Sequence, residues 1–235
     1  MFKRFNFPIK TPLWISQKCI GCSSRIIDLP GCFCSDCLEK LTFVNMPHCR
    51  RCGGTYDGIL DYCTKCITES IPVWDDAVTL FNMKRFPQKL ILNFKYYNTP
   101  ELAAPLGILL GSMVDMREWD IDYVVPIPLH WSRFLKRGYN QSHLIAQEVG
   151  EVIDVPVKTA LIRKKRTVQQ ARLKRDKRKT NLIDAFSVKG DEIYKNSTIL
   201  LLDDVITTGT TLTVAANTLL DAGVKKIYIG TLARG

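Results

Sequence analysis

The chain of 235 residues carries a net charge of +10 and nine cysteines. This size allows one α/β domain plus a small module, and the positive charge points to an anionic partner. The first residues, MFKRFNFPIK, lack the apolar core of a secretory signal peptide, and no apolar run is long enough to span a membrane. We therefore expect a cytoplasmic protein.

All cysteines lie between Cys19 and Cys66, and eight of them form four CxxC pairs. Two such pairs supply four thiolates in the tetrahedral arrangement that zinc prefers, whereas a reducing compartment disfavours disulfides. The sequence therefore predicts two structural zinc ions. The predicted ligands are Cys19, Cys22, Cys34, Cys37, Cys49, Cys52, Cys63 and Cys66.

The spacers between successive CxxC pairs are 11, 11 and 10 residues long. Spacing alone therefore leaves open whether each zinc is bound by two consecutive pairs or by an interleaved set. We favour two sequential ribbons, the first from Cys19 to Cys37 and the second from Cys49 to Cys66. Cys32 belongs to neither set, because its use would break the CxxC spacing.

Strands alternate with helices after a linker that ends at Ile71-Pro72. Apolar runs predict strands at residues 78–81, 123–127, 155–162, 186–188, 199–202 and 227–232. Apolar residues at helical spacing predict helices at residues 87–96, 102–113 and 141–152, and one more after Gly209 that stops at Gly223. This alternation is typical of a mostly parallel sheet flanked by helices. We predict a double zinc-ribbon domain at residues 1–70 and an α/β domain at residues 74–235.

The segment from Thr198 to Thr211, TILLLDDVITTGTT, is the most informative in the chain. Its apolar run suits a strand that is buried on both faces and ends in the acidic pair Asp203 and Asp204. In open α/β sheets, ligands bind beyond the carboxyl ends of such strands. Adjacent carboxylates are suited to accept hydrogen bonds from neighbouring sugar hydroxyls, so the pattern favours a sugar site.

A loop rich in hydroxyl groups follows the acidic pair. Gly209 allows a tight turn, and the hydroxyls and amides around it can surround a phosphate at the start of the next helix. An acidic pair that binds a ribose, next to a loop that binds its 5′-phosphate, is the pattern of a phosphoribosyl site. The residues assigned to this part of the site are Val205, Ile206, Thr207, Thr208, Gly209, Thr210 and Thr211.

The run LLLDDVITTGTT resembles, without a gap, the 5-phosphoribosyl-1-pyrophosphate (PRPP) motif of type I phosphoribosyltransferases. The resemblance implies the type I phosphoribosyltransferase fold for the α/β domain. It also implies that Asp203 and Asp204 hold the ribose 2′- and 3′-hydroxyls. Thr207–Thr211 would hold the 5′-phosphate.

In the type I family, a loop at the end of another strand binds the pyrophosphate of PRPP. The segment PIPLHWSRFLKRGYNQS, which begins at Pro126, occupies that place here. Bidentate guanidinium groups suit pyrophosphate oxygens, so this segment is predicted to bind the leaving group. Its candidate residues are Leu129, His130, Arg133, Lys136 and Arg137.

Three further segments, RGYNQS, TVQQARLKRDKRKTN and AF, narrow the resemblance. Together with the PRPP motif and the double zinc ribbon, they are similar to the ComF family of phosphoribosyltransferase-like proteins, and specifically to its ComFC members. Tyr139 replaces the usual Phe. The residues that keep the family pattern are Arg137, Gly138, Asn140, Gln141, Thr167, Gln170, Leu173, Arg178 and Asn181.

This resemblance implies a protein of natural transformation that acts with a competence DNA helicase on incoming single-stranded DNA. It leaves catalysis, the acceptor and the oligomeric state open. If a reaction occurs, pyrophosphate leaves ribose C1 and an acceptor attacks the oxocarbenium-like centre. Asp203 and Asp204 would then fix the ribose, Arg133 and Arg137 would bind the leaving group, and Mg²⁺ would bridge PRPP oxygens.

Eleven Lys or Arg and one acid lie between Lys158 and Lys179. In the type I family, a loop at this position closes over PRPP, and here it could also contact nucleic-acid phosphates. A second hypothesis is therefore a non-enzymatic adaptor with a vestigial PRPP site. It would bind a single strand through basic residues and the aromatic residues Trp131, Phe134 and Tyr139.

Overall fold

A parallel sheet forms the centre of the computed structural model. The model describes residues 18–26, 33–44, 47–56, 58, 60–68, 72–164, 185–190 and 194–235. In these ranges the strands are β1 (Asp76–Asn82), β2 (Tyr123–Pro126), β3 (Leu161–Arg163), β4 (Phe186–Val188), β5 (Thr198–Ile206) and β6 (Lys226–Arg234). Strands β1, β6, β5 and β2 form the parallel sheet in that order, and β3 pairs with β4 in an antiparallel ribbon.

Helices flank the sheet, as the alternating sequence pattern predicts. The described helices are α1 (Ser35–Glu39), α2 (Thr64–Ile67), α3 (Arg85–Tyr96), α4 (Ala103–Asp115), α5 (Trp131–Arg137), α6 (Gln141–Ile153) and α7 (Thr210–Asp221), with a 3-10 turn at Pro100–Leu102. The predicted arrangement of a mostly parallel sheet flanked by helices is thereby confirmed for the α/β part. Among the described helices, none has the length and apolar character needed to cross a bilayer.

Strand β5 is deeply buried. Its residues Ile199 to Leu202 are all fully buried, and alternate side chains of a strand face opposite sides of the sheet. On one side, Ile199 and Leu201 pack in a cluster that also contains Leu212 and Ala215 of α7. Burial on both faces explains why this strand reads as a continuous apolar run.

Two predicted strands differ most from the structure. Strand β5 continues beyond Leu202 to Ile206, because Asp203 and Val205 remain in register with Thr231 and Ala233 of β6. The strand predicted at residues 155–162 is limited to the short β3, and Val157 makes only an isolated bridge to Val124. Apolar alternation alone does not show where a neighbouring strand is available for pairing.

The chain divides into two compact units, Met1–Leu41 and Thr42–Gly235. The second cysteine set therefore lies in the larger unit, where Cys49 and Cys66 belong to the same apolar cluster as Ile199 of the sheet. The Thr79 hydroxyl donates to the backbone oxygen of Cys52 at 2.9 Å. The division into domains at residues 1–70 and 74–235 stays a prediction.

Candidate functional site

The acidic pair lies at the carboxyl end of β5. Asp203 Oδ1 accepts hydrogen bonds from the Ser142 hydroxyl at 3.1 Å and from the backbone N–H of Asp204 at 2.9 Å. Asp204 Oδ1 lies 2.9 Å from Lys95 Nζ, and both side chains of this ion pair are largely buried. One buried ammonium group therefore faces two carboxyl groups.

This crowding changes the ionisation of Asp203. Burial and the negative charge of Asp204 raise the pKa of the Asp203 carboxyl to about 7, whereas Lys95 and the hydrogen bond from Ser142 act in the opposite direction. Burial disfavours the charged form of a carboxyl, and a neighbouring carboxylate adds repulsion. Without a ligand, the Asp203 carboxyl is therefore partly protonated near neutral pH.

Two arginines extend the charged surroundings of the pair. Burial, followed by the positive charge of Arg133, lowers the pKa of Arg163 to about 10, and Asp203 opposes that change. The structure thus brings the predicted residue Arg133 and the unpredicted residue Arg163 into electrostatic range of each other. Arg137 instead donates to Gln141 Oε1 at 3.2 Å and lies 5.0 Å from the centre of the Tyr96 ring.

The threonine loop connects β5 to α7. Gly209 has a φ of +72° and is the N-cap of α7, a left-handed conformation that glycine adopts without steric cost. The hydroxyl oxygens of Thr208 and Thr210 are 2.8 Å apart, and the N–H of Thr213 donates to the Gly209 carbonyl. Acid and loop residues together line one pocket, formed by Asp203, Val205, Ile206, Thr207, Gly209, Thr210, Thr211 and Leu212.

The predicted pyrophosphate loop is partly helical, which corrects the sequence interpretation. His130 is buried and caps α5, where its Nδ1 accepts from the Ser132 N–H at 3.3 Å. Gly138, with a φ of +79°, ends that helix. Leu129 is half-buried immediately before the cap. The glycine stop is the local signal that could have predicted the end of this short helix, whereas histidine is not a usual N-cap residue.

Sequence reasoning missed several neighbours of the site. Ser142 stands at the end of the RGYNQS segment, but nothing in its surroundings indicates a partner 61 residues away. Lys95 and Arg163 carry no local signature at all. Trp74 is equally unmarked, although its ring would lie 3.4 Å from a Cβ atom at Gly209.

The cysteines form two compact sets. The sets are Cys19, Cys22, Cys34, Cys37 and Cys49, Cys52, Cys63, Cys66, and within each the sulfur atoms all lie within 4.8 Å of one another. This grouping is the sequential arrangement. Cys32 lies outside the described residues.

Both sets have the donor chemistry of a structural zinc site. Cys22 Sγ and Cys34 Sγ are 3.7 Å apart, close to the value of about 3.8 Å that tetrahedral coordination at 2.3 Å requires. Backbone N–H groups of Cys34 and Cys63 donate to the Sγ atoms of Cys19 and Cys49, each at 3.3 Å. Such N–H to sulfur bonds orient thiolate ligands.

The four thiols of the second cysteine set need a bound cation to be deprotonated together. A hydrogen bond with Cys49 and burial raise the pKa of the Cys52 thiol to about 12, although a hydrogen bond with Cys66 opposes this change. A metal ion deprotonates its thiol ligands. The four buried sulfurs therefore fit a bound Zn²⁺ and do not suit four free thiolates.

Comparisons with known proteins indicate the family of this chain. The phosphoribosyl transferase domain model matches residues 135–235. Competence protein F of Haemophilus influenzae is 30% identical over 226 residues, which cover 92% of this chain and 96% of that protein. The chain belongs to the ComF family. Competence protein ComFC of Bacillus subtilis is 28% identical over 196 residues, which cover 81% of this chain and 78% of that protein. DNA utilization protein YhgH of Escherichia coli is 28% identical over 209 residues, which cover 86% of this chain and 89% of that protein.

The segment RGYNQS forms hydrogen bonds to the elements that surround the candidate site. Asn140 caps α6 by accepting from the Ser142 N–H, and its side-chain amide donates to the Ile127 carbonyl at the end of β2. The buried Gln141 amide donates to the Phe94 carbonyl in α3 at 3.1 Å. These bonds fix the N-terminus of α6, which presents Ser142 to the acidic pair. The other ComF-pattern residues, Thr167, Gln170, Leu173, Arg178 and Asn181, lie outside the described residues.

Proposed function

We propose that this ComF-family protein binds PRPP and acts on DNA during natural transformation. The observation that carries the proposal is the acidic pair Asp203–Asp204 at the carboxyl end of β5, of which Asp203 lines one pocket with the threonine loop that opens α7. Parallel sheets bind ligands at this end of their strands. A helix N-terminus with hydroxyl groups suits a 5′-phosphate.

The side chains of Asp203 and Asp204 are held in a way that suits ribose binding. Asp203 and Asp204 each accept at Oδ1 from the protein itself, and ribose 2′- and 3′-hydroxyls would donate to their second oxygens. Lys95 and Ser142 hold the two carboxyl groups in place, so that ribose binding requires little reordering. PRPP would reinforce the ionised form of Asp203, because hydroxyl donors favour a carboxylate.

The leaving group would bind to the cations on α5. Arg133 and Arg137 are both half-buried on this helix, and guanidinium groups bind phosphate oxygens in bidentate fashion. Mg²⁺, bound mainly through PRPP and water, would neutralise the pyrophosphate. The chain's own contribution would be to place the ribose and stabilise the departing charge.

The biological setting is proposed from the relatives. Competence protein F and competence protein ComFC name a role in competence for the proteins of Haemophilus influenzae and Bacillus subtilis. We extend that role to this chain, with single-stranded DNA and a competence DNA helicase as partners in the cytoplasm. Each cysteine set would hold one structural Zn²⁺.

Calorimetry of Mg²⁺ and PRPP binding tests the site. The double variant Asp203→Asn, Asp204→Asn should lose PRPP binding and keep two zinc ions per chain. Asp221→Asn, at the exposed end of α7, serves as the matched control and should bind PRPP like the wild type. Unchanged PRPP affinity in the double variant would reject the site.

A screen for pyrophosphate release from PRPP then tests catalysis. Bases, amines, nucleotides and single-stranded DNA are the acceptors to be tried. Release with one acceptor would assign a phosphoribosyl transfer. PRPP binding without release would leave a sensor or scaffold function.

The second candidate function is a nucleic-acid adaptor with a vestigial PRPP site. One observation favours it: α5 exposes 67% of Trp131 and 49% of Phe134 beside the exposed Lys136. Exposed aromatic rings with nearby cations are typical platforms for single strands. Tyr139 is not part of this exposed surface, because its hydroxyl donates to the Phe94 carbonyl at 2.7 Å. Most of the basic run, residues 165–179, lies outside the described residues.

Salt dependence and ligand protection distinguish the two functions. An adaptor would bind single-stranded DNA with a steep dependence on salt concentration, and PRPP with Mg²⁺ would not protect it from proteolysis. A PRPP-binding protein would gain protection from the ligand. DNA binding alone therefore does not exclude the first function.

A further inference from the structure

The second cysteine set lies directly against the threonine loop, residues 207–211, which is the proposed phosphate loop. One pocket of the larger unit is lined on one side by Arg51, Cys52 and Cys66 and on the other by Ile206, Thr207, Thr208, Gly209 and Arg234. The loop proposed to bind the 5′-phosphate and the CxxC turns proposed to bind zinc therefore face each other across one pocket.

Trp74 connects the two sides. Its ring is 4% exposed, and its Nε1–H donates to the backbone oxygen of Arg51, within the Cys49–Cys52 turn, at 3.1 Å. Atom Cη2 of the same ring lies within van der Waals reach of Gly209, at 3.4 Å from the place of a Cβ atom. The CxxC turn thus fixes the indole, and the indole supports the glycine at which the phosphate loop turns.

Arg234 forms a second connection. Its guanidinium donates to Cys63 Sγ at 3.5 Å, and its side chain packs on Gly54 beside the same CxxC turn. On the backbone, Arg234 is in register with Ile206 of β5, and the next residue, Gly235, donates to the Ile206 carbonyl at 2.9 Å. Arg234 therefore joins the cysteine set to the point where the phosphate loop begins.

The charges at this junction are complementary. A zinc ion with four thiolates carries a net charge of −2, which the adjacent Arg234 guanidinium partly compensates. The same guanidinium lines the pocket beside Thr207 and Thr208, where an anion would be attracted. Loss of the metal would release the two CxxC turns and with them the Arg51 carbonyl and the Cys63 sulfur that hold Trp74 and Arg234.

We propose that metal binding at the second cysteine set and phosphate binding at the threonine loop are thermodynamically coupled through Trp74 and Arg234. The coupling rests on the proposed PRPP-binding function for its ligand, although its structural basis does not. By linkage, zinc at Cys49, Cys52, Cys63 and Cys66 should strengthen PRPP binding, and PRPP should strengthen zinc binding by the same factor. Trp74 and Arg234 act as positioning residues.

Amide hydrogen exchange tests the coupling without PRPP. Cys52→Ser in the full chain should lose one zinc ion and speed exchange about tenfold or more at residues 207–211. Cys22→Ser is the matched control, since Cys22 holds the corresponding place in the first set, and it should lose one zinc ion without changing exchange at residues 207–211. Equal exchange at the loop in both variants would overturn the proposal.

A second pair of variants keeps the metal. Trp74→Phe removes the bond to the Arg51 carbonyl but keeps an aromatic ring near Gly209, so we expect two zinc ions per chain, faster loop exchange and about fivefold weaker PRPP binding. Trp119→Phe is the control, because Trp119 stacks on Tyr228 with ring centres 4.2 Å apart, at the other end of β6. Wild-type loop exchange in Trp74→Phe would contradict the role given to Trp74.

Zinc release to a chromophoric chelator completes the test. PRPP with Mg²⁺ should slow release from the second set about fivefold in wild type and less in Trp74→Phe, whereas release from the first set should not change. If wild-type protein with two zinc ions binds no PRPP, the proposed function fails, and loop exchange alone decides the coupling. The coupling fails and the proposed function stands under the following outcome. PRPP binds but does not slow zinc release, and neither Cys52→Ser nor Trp74→Phe speeds amide exchange at residues 207–211.

Discussion

Asp203 is the residue whose chemistry is most altered by the fold. Its carboxyl has an ordinary pKa of 3.8, and burial beside Asp204 raises the pKa to about 7. The folded protein therefore keeps a proton that the unfolded chain has already released. The free energy of unfolding therefore falls as the pH rises from about 4 to about 7, and the full loss is present above that range. The proposed binding site for ribose hydroxyls would thus be maintained at the expense of stability.

Asp203→Asn should remove this cost while keeping an acceptor for Ser142. We expect the variant to gain stability over the wild type, with a gain about 1 to 3 kcal/mol larger at pH 8 than at pH 5. Urea unfolding at both pH values measures it, with Asp221→Asn as the control. A gain that is the same at pH 5 and pH 8 would contradict the raised pKa.

The same pKa predicts how PRPP binding depends on pH. Ribose hydroxyls bind best to an ionised Asp203, so PRPP affinity should rise about tenfold between pH 6 and pH 8, if a pKa of about 7 controls binding. Calorimetry with PRPP measures this change. Inorganic phosphate, which has no ribose, is the control for ionisation of the ligand. A PRPP profile that only follows the phosphate profile would argue against Asp203 as the titrating group.

At the scale of elements, the turns at the ends of strands and helices form the candidate site. Gly209 at the start of α7 and Gly138 at the end of α5 both have left-handed backbones, with φ of +72° and +79°. They differ in surroundings, since a Cβ atom at Gly138 would meet no atom within 4 Å, whereas Gly209 faces Trp74 and Ile206. The two glycines therefore form a matched pair for experiments.

Gly209→Ala and Gly138→Ala should each destabilise the protein by about 1 to 2 kcal/mol, because an L-residue is strained in this conformation. Only Gly209→Ala should also weaken PRPP binding, by about tenfold, since it disturbs the phosphate loop. Thermal unfolding and calorimetry separate the two effects. Equal losses of PRPP affinity in both variants would show that the loss reflects general instability.

Helix α5 offers the surface on which DNA binding can be tested. Replacing Trp131 and Phe134 by Ala should weaken single-stranded DNA binding at least tenfold, because stacking contributes about 1 to 3 kcal/mol per base. The salt dependence should stay the same, as no phosphate contact is removed. Met116→Ala is the control, because Met116 is a comparably exposed apolar residue just beyond α4. DNA affinity like that of wild type after the double change would exclude α5 as the platform.

At the scale of the whole molecule, the second cysteine set belongs to the core of the sheet unit. Cys49 and Cys52 are buried with Trp74 and Ile206 in one cluster. A structural zinc ion there would stabilise the unit Thr42–Gly235 itself, since a site that exists only in the folded state adds its binding free energy to folding. The first cysteine set lies in the other compact unit.

Zinc removal should therefore lower the stability of the unit Thr42–Gly235 as well as that of the first cysteine set. We expect a strong chelator to lower the main unfolding temperature by about 10 °C or more. In a domain of this size, each kcal/mol lost from the free energy of unfolding lowers the unfolding temperature by about 2–4 °C. Calorimetry with and without chelator measures the change, and re-addition of Zn²⁺ is the control. An unchanged main transition would contradict a structural zinc in the core.

Much of the fold was predictable because its signals are local. The apolar run before Asp203 predicted β5, and helical spacing predicted α6 and most of α3. Helix α5 was missed because its start depends on capping by His130, a side chain that usually carries no such signal. The extension of β5 was missed because only pairing with β6 keeps the polar residues Asp203 and Asp204 in the strand.

The sequence by itself determined which chemical groups this protein offers: an acidic pair after a buried strand, a threonine loop at a helix start and four CxxC pairs. Each is a cluster of neighbours along the chain, so its chemistry is readable without a fold. The tertiary structure alone decided what surrounds those groups. Ser142 reaches Asp203 across 61 residues and Arg234 reaches Cys63 across 171. Contacts at such separations follow from the packing of the sheet, for which no local pattern exists.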